Sequence, residues 1–522
     1  MININLNASI SKNEIYNLIR IFDKSSQIRF DDKDHLSHAM VIMVDNTRVT
    51  LNADGLEKMA SSVDVCELSY FYDEYTVRLK LAIRHTLYKL LREYFNRESN
   101  YGILTGTRPV KLVRTTLERG FSHQEIENVL KQTYLMAEGT IKRLLSICAV
   151  ENSLLKKDPS SISLYIGIPY CPSRCHYCSF ISEVCKDEII LDRYLDILIE
   201  ELAAKADILV SNQLSVKSVY VGGGTPTVLT ARQLDRLFKA IRQHYDLPQN
   251  MEYTVEAGRP DTINALKLQT LKDNGIDRIS INPQSMNDET LKGIGREHSA
   301  KDIVRAFKEA RSAGFRTINM DLINGLPGED IDSAMDNLAY IRELKPENVT
   351  IHNLSIKRGS DYFKENYVNL IDANSTDESN EFYRFSLEEM GMRPYYLYRQ
   401  KNITSNGDNC GYAYPGHECL YNMNIIEEIQ TIIGFGAGSV TKIVDLENDR
   451  IHRIPNNRDI QAYKGKINEN YLITKQTIEH IGGRHGYARE HQKNQQMRHA
   501  EKREHQWKSD SNGMGAKEKK PG

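Results

Sequence analysis

The stretch YIGIPYCPSRCHYCSF, residues 165–180, places three of the chain's eight cysteines at Cys171, Cys175 and Cys178, directly after an apolar run of strand length. A C-x3-C-x2-C spacing keeps three thiols on one short loop. A structural zinc wants four protein ligands in a closed tetrahedron, and an electron-transfer [4Fe–4S] centre wants four cysteines. Here a fourth ligand would have to be His176, between two of the cysteines, Cys185, seven residues on, or a remote group. Three thiolates alone suit three irons of a cubane whose fourth iron stays open for chemistry. The spacing by itself leaves both metals open.

Around this loop the pattern is regular. From about residue 160, short apolar strands alternate with capped amphipathic helices. The strands are SLYIGIP (163–169), SVYVGG (218–223), EYTVEA (252–257), RISINP (278–283), RTINMDLI (316–323) and NVTIHNL (348–354). Ser299 can cap one helix and Gly314 end it, while Asn274-Gly275 can end another. Strand-helix alternation argues for a parallel sheet, because parallel neighbours need crossover connections. Residues just past the carboxyl ends of such strands face the ligand crevice. Upstream, HAMVIMV and RVTLNA read as a hairpin around Asp45-Asn46, and Leu79, Ile83, Leu87, Leu90, Leu91 and Tyr94 recur at helical spacing, so residues 1–155 form a small α+β module. The core is expected over 156–375, a C-terminal substrate-side region over 376–475 and a disordered polar tail over 476–522, where charge and amide groups dominate and Trp507 anchors no core.

Composition excludes several classes. The 522 residues are 40% hydrophobic and 26% charged with a formal charge of −2, an ordinary globular balance with no overall electrostatic case for nucleic acid or an anionic membrane. The N-terminus is polar from its first residues, unlike a signal peptide, and no stretch of about 18 apolar residues occurs. A cytoplasmic protein is expected, with Cys66, Cys148, Cys185, Cys410 and Cys419 as reduced thiols.

The cysteine spacing resembles that of the radical S-adenosylmethionine (SAM) enzymes, and the order YIGIPYCPSRCHYC, GGGTP, EAGRP, INPQSM, GREH, INMDLINGLPGE resembles the oxygen-independent coproporphyrinogen III oxidase family over about residues 160–450. YGILTGTRPVKL, LSIKRGS, YYLYRQKN, GYAYPGHECLYN and IIGFGAGSVTK are similar to its HemZ-type coproporphyrinogen dehydrogenase branch. The resemblance implies a partial (β/α)6 barrel and a [4Fe–4S] cluster on Cys171, Cys175 and Cys178. It also implies that SAM chelates the open iron and is cleaved to a hydrogen-abstracting adenosyl radical. The missing fourth ligand is then the cosubstrate.

For SAM the same resemblance implies contacts at Gly222, Gly223, Gly224 and Thr225 after the second strand, Glu256 after the third, Gln284 and Arg296 after the fourth, and Asp321 on the fifth. Glycines bring peptide groups close to a ligand; an arginine fork suits a carboxylate; a carboxylate in an apolar strand needs partners, here a ribose. Tyr165 and Tyr177 are candidates for the adenine.

The implied reaction converts two propionates of coproporphyrinogen III to vinyl groups, giving protoporphyrinogen IX in haem biosynthesis, with an electron donor such as flavodoxin or ferredoxin. Lys357, Arg358, Arg399 and Lys401 are candidates to meet propionates. The best-defined oxidases carry a further cysteine where this chain has Phe180. Haem-binding chaperone paralogues also lack it, which keeps a second reading open, with His352, His417 or Cys419 as axial ligands.

Overall fold

The computed structural model describes residues 1–8, 10–23, 26–31, 40–45, 48–53, 56–60, 74–179, 183–357, 359–364, 373–400 and 407–482. Phe180, Arg358, Lys401 and the tail from 483 lie outside them.

The N-terminal module is built on a five-stranded sheet of β1 (Ile2–Asn7), β2 (Ile28–Phe30), β3 (Met40–Asp45), β4 (Arg48–Ala53) and β5 (Leu56–Ala60), in the order β2-β1-β3-β4-β5. The expected hairpin is the antiparallel β3/β4 pair, in register from Met40↔Ala53 to Asp45↔Arg48. The expected helix runs Tyr75–Phe95 and buries Leu79, Ile83, Leu87, Leu90 and Leu91, with Tyr94 only partly covered.

All six expected core strands form. They are β6 (Ser161–Ile168), β9 (Ser215–Gly223), β10 (Glu252–Glu256), β11 (Arg278–Ser280), β12 (Thr317–Asn324) and β13 (Asn348–Asn353), with β7 (Tyr170–Cys171) and β8 (Glu183–Val184) pairing within the cysteine loop. They lie side by side in chain order and pair parallel throughout. That is the partial (β/α)6 barrel, and its near-continuous apolar strands are those of a sheet covered on both faces. The crossover helices start where the sequence allows: Thr230 and Ser299 each close a capping box, and the helix Ala231–His244 turns Leu234, Leu237, Phe238 and Ile241 inward. Asn274 and Gly275, at φ +72°, end a third helix.

The sheet extends further than expected. Beyond residue 375, β14 (Arg393–Tyr398) and β15 (Asn409–Ala413) add antiparallel strands at the β13 edge. At the β6 edge β16 (Thr431–Phe435) adds parallel, followed by antiparallel β17 (Val440–Asp445) and β18 (Arg450–Pro455). The stretch 376–475 therefore largely continues the core sheet, since β15 and β16 pair with the open edges of β13 and β6 and the remaining strands add outside them. The tail also starts later than residue 476: helix 460–482 runs past it because Ile467, Ile478 and Ile481 form one buried stripe.

Candidate active site at the barrel mouth

The cysteine loop leaves β6 through Pro169 and is laced to the turn after β9. The amides of Gly224 and Thr225 donate to the carbonyls of Ile168 (2.7 Å) and Tyr170 (2.8 Å), and the Thr225 hydroxyl donates to Cys171 Sγ at 3.4 Å. Steric demand explains two of the glycines: a Cβ on Gly224 would sit 2.5 Å from the Tyr170 carbonyl oxygen, and one on Gly222 would sit 2.8 Å from Glu256 Oε2. Gly223 has φ +111°. These glycines thus serve the protein's own packing as well as any ligand, which the string GGG cannot reveal.

The loop's far end is gripped by the segments after β11 and after β13. His176 N–H donates to the Ile294 carbonyl (3.1 Å), the His176 carbonyl accepts from Asp361 N–H (3.0 Å), and Cys178 N–H donates to the Cys175 carbonyl (3.1 Å). Cys175 is buried, while Cys171 and Cys178 are half-buried. The two nearby groups considered as a fourth ligand are turned elsewhere: the His176 ring Nδ1 meets the Gly293 carbonyl at 3.2 Å, and Cys185 Sγ meets the Asp187 carbonyl at 3.8 Å. Among the described residues no three His, Cys, Asp or Glu side chains are drawn together closely enough to hold one metal ion, the three cysteines of this loop included.

The remaining candidates ring the same mouth. Glu256, the last residue of β10, accepts from Tyr220 OH (2.6 Å) and Gly223 N–H (3.2 Å). Burial pushes its pKa up to about 7 against those two bonds. Tyr220 stacks on Tyr421 with centroids 4.4 Å apart, and Tyr165 stacks beside both. Gln284 holds φ +69°, donates its N–H to the Asp321 carbonyl (2.9 Å) and accepts from Ile323 N–H (2.8 Å). A non-glycine residue there costs about 1–3 kcal/mol, and such strain clusters at ligand sites.

Arg296 reaches across the mouth, donating to Tyr177 OH (2.9 Å) and to the carbonyls of Gly258 (3.1 Å) and Asn282 (3.3 Å). Its Nε and the Asn282 Oδ1 are buried without a partner. Asp321 accepts from Asn319 Nδ2 (2.8 Å) and lies 3.7 Å from His352 Nε2, whose Nδ1 is 3.3 Å from Tyr398 OH. Burial alone would raise the Asp321 pKa, but bonding to His352, Asn319 and Thr350 overrides it and holds the carboxyl below its ordinary value.

Of the substrate-side candidates, Lys357 lies near Cys178. Arg399 is instead spent on the N-terminal module: it donates to the Leu104 carbonyl and lies 4.2 Å over the Tyr101 ring. His417 and Cys419 are at the opposite end of the barrel. The first meets Thr317, which begins β12 (2.7 Å), and the second meets Glu252, which begins β10 (3.5 Å). Neither can be an axial ligand at this mouth. The sequence reading missed Tyr220, whose place two residues before the first of the three glycines was a usable signal, and Tyr421, which carried none.

Three half-buried or buried thiols on one loop, a strained strand end and two unpartnered buried polar atoms beside them fit a cluster with a polar cosubstrate. Comparison with known proteins agrees. The Radical SAM superfamily profile matches residues 165–366. The chain is 34% identical over 474 residues to the oxygen-independent coproporphyrinogen-III oxidase-like protein HemZ of Bacillus subtilis, covering 88% of this chain and 94% of that one. It is 30% identical to the heme chaperone HemW of Escherichia coli, over 61% of this chain and 79% of that one. Among solved structures, coproporphyrinogen III oxidase (HemN) from Escherichia coli, a radical SAM enzyme, superposes with a TM-score of 0.50 at 21% identity, covering 62% of this chain and 73% of that one; this likeness speaks for the fold. The chain belongs to the radical SAM superfamily, in the family of HemZ-type oxygen-independent coproporphyrinogen-III oxidase-like proteins. Membership implies a [4Fe–4S] cluster and SAM as cofactors. No helix among the described residues is long and apolar enough to cross a membrane.

Proposed function

We propose that this chain catalyses the oxygen-independent oxidative decarboxylation of coproporphyrinogen III to protoporphyrinogen IX. Cys171, Cys175 and Cys178 hold the cluster. The peptide groups of Gly222–Thr225 and the Glu256 carboxylate receive the SAM ammonium, Arg296 the SAM carboxylate, Asp321 the ribose, and Gln284 shapes the rim; Tyr165 and Tyr177 flank the adenine side. The bound cofactors would supply one-electron cleavage of SAM and, through it, abstraction of one hydrogen atom from each reacting propionate side chain; loss of the carboxylate as carbon dioxide would then leave the vinyl group and pass one electron per propionate to an external one-electron acceptor. The electron comes from an external donor of flavodoxin or ferredoxin type. The observation that carries the reading is convergence: residues from six separate segments, spread from 165 to 321, meet at one barrel mouth around the cysteine loop.

The protein's own groups prepare this site. Tyr220 and Gly223 fix the Glu256 carboxylate, and His352 with Asn319 keeps Asp321 ionised to accept hydroxyl protons. The HemW relatives raise haem carriage as the alternative. The placement of His417 and Cys419 away from the mouth counts against it, leaving only His352, already engaged with Asp321. The test is anaerobic incubation of cluster-loaded protein with SAM, a reductant and coproporphyrinogen III. Protoporphyrinogen IX is expected. SAM cleavage with the porphyrin unchanged overturns the oxidase reading, and stoichiometric haem binding without turnover establishes the chaperone.

A further inference from the structure

Arg259, three residues past the end of β10, is 3% exposed, and the assignment above gives it no role. Its Nη1 donates to the Ser173 hydroxyl (2.7 Å) and to the Ser173 carbonyl (3.3 Å). Ser173 is midway between Cys171 and Cys175. The other edge of the guanidinium forms a fork with Asp261, Nε to Oδ1 at 3.1 Å and Nη2 to Oδ2 at 3.2 Å. Buried His298 backs the carboxylate, its Nδ1 3.6 Å from Asp261 Oδ1. The Arg259 carbonyl accepts from the Thr262 hydroxyl (2.8 Å), which is bonded in turn to Thr227 Oγ1 (2.6 Å) in the turn after the glycines. Arg259 thus joins the crest of the cysteine loop, through its side chain, to the turn after the glycines, through its backbone carbonyl and Thr262.

The chemistry is more than a neutral loop needs. A carbonyl and a hydroxyl could be satisfied by an amide, whereas burying a guanidinium–carboxylate pair carries a desolvation penalty of several kcal/mol per ion. What a buried cation bonded to Ser173, itself two positions from Cys171 and from Cys175, adds is electrostatic. One-electron reduction makes a thiolate-bound cluster more negative, and nearby charge and hydrogen bonding set its potential. The guanidinium favours the reduced state and Asp261 offsets it, so the pair sets the balance.

We propose that Arg259, held by Asp261, is a positioning residue that seats the cysteine loop and sets the charge beside its cluster. This rests on the cluster assignment to Cys171, Cys175 and Cys178.

The experiment uses the full chain, reconstituted anaerobically with iron and sulfide, with Arg259→Gln, Asp261→Asn and Ser173→Ala variants. It measures iron and sulfide per chain, the rate of iron loss to a chelator, and the midpoint potential by mediated titration without SAM. Arg259→Gln should lose iron about tenfold faster, the usual scale for removing an outer-shell partner, with a midpoint shifted negative. Asp261→Asn keeps the Ser173 contact and should shift the midpoint positive. Ser173→Ala, which alters no charge, should speed iron loss and leave the midpoint in place; it carries the positioning test if Arg259→Gln does not fold. Midpoints that move in the same direction in the two charge variants, or unchanged iron loss in Ser173→Ala, overturn the proposal. A wild-type chain that takes up no iron and sulfide sinks the cluster assignment instead, so the two failures are distinct.

Discussion

Replacing Glu151 by glutamine should stabilise this protein, and more so as pH rises. Glu151 and Glu427 are both fully buried and both pair with the single guanidinium of Arg114, which is 6% exposed. One oxygen of each carboxylate has no partner. Glu427 also feels the positive charges of Arg108 and Lys111, whereas Arg114 is the cation acting on Glu151, so Glu151 is the carboxyl that keeps its proton. Burial, then repulsion from Glu427, raises the Glu151 pKa above neutrality against the pull of Arg114. The unfolded chain releases that proton near its ordinary pKa of ~4.3. The folded state therefore binds a proton that the unfolded state does not, and stability falls as pH climbs from there toward the raised value. At about 1.4 kcal/mol per unit, the loss between pH ~5 and ~7 is roughly 2–3 kcal/mol. Glutamine is neutral at every pH and still offers Arg114 an oxygen, so Glu151→Gln escapes that loss. Urea unfolding of both proteins, followed by circular dichroism near pH 5 and near pH 7, should show the variant gaining the stated difference. An equal offset at both pH values, or a variant that loses ground as pH rises, refutes the shared-proton reasoning.

Three further outcomes follow from the mouth. Gly224→Ala would force a Cβ to within 2.5 Å of the Tyr170 carbonyl, so the glycine turn must move; the folded chain should survive, with SAM affinity measured by calorimetry falling steeply. Because burial holds Glu256 at a pKa of about 7 and only its ionised form attracts an ammonium, SAM binding should weaken as pH falls through that value; Glu256→Gln should bind weakly with a flat pH profile over the same range. His352→Phe removes the imidazole 3.7 Å from Asp321 that helps hold its carboxyl below the ordinary value and should reduce SAM affinity roughly two- to tenfold, the scale of about 0.5–1.5 kcal/mol for one polar contact.

The core was legible because its strands are continuous apolar runs separated by helices with strong caps, signals that survive without tertiary context. The sharing of one loop by Cys171, Cys175 and Cys178 was legible because only three and two residues separate them. The edge strands β14–β18 were not, since segments such as NCGYA and TIIGF pair only because β13 and β6 offer open edges. Within the site, the residues announced by local motifs fell at the mouth, but their partners did not announce themselves. Tyr220 with Glu256, His352 with Asp321 and Tyr177 with Arg296 are joined across 31 to 119 positions of sequence. Arg399 misled for the same reason, as its counterpart Tyr101 lies in the N-terminal module.

The measurement closest to the central claim is release of 5′-deoxyadenosine by anaerobically reconstituted, reduced protein given SAM alone, with single alanine variants of Cys171, Cys175 and Cys178 alongside. The account predicts 5′-deoxyadenosine and methionine in equal amounts from the wild-type chain and from none of the three variants. A loaded, reducible cluster that leaves SAM intact, or a variant lacking one of these cysteines that still cleaves it, would contradict the account.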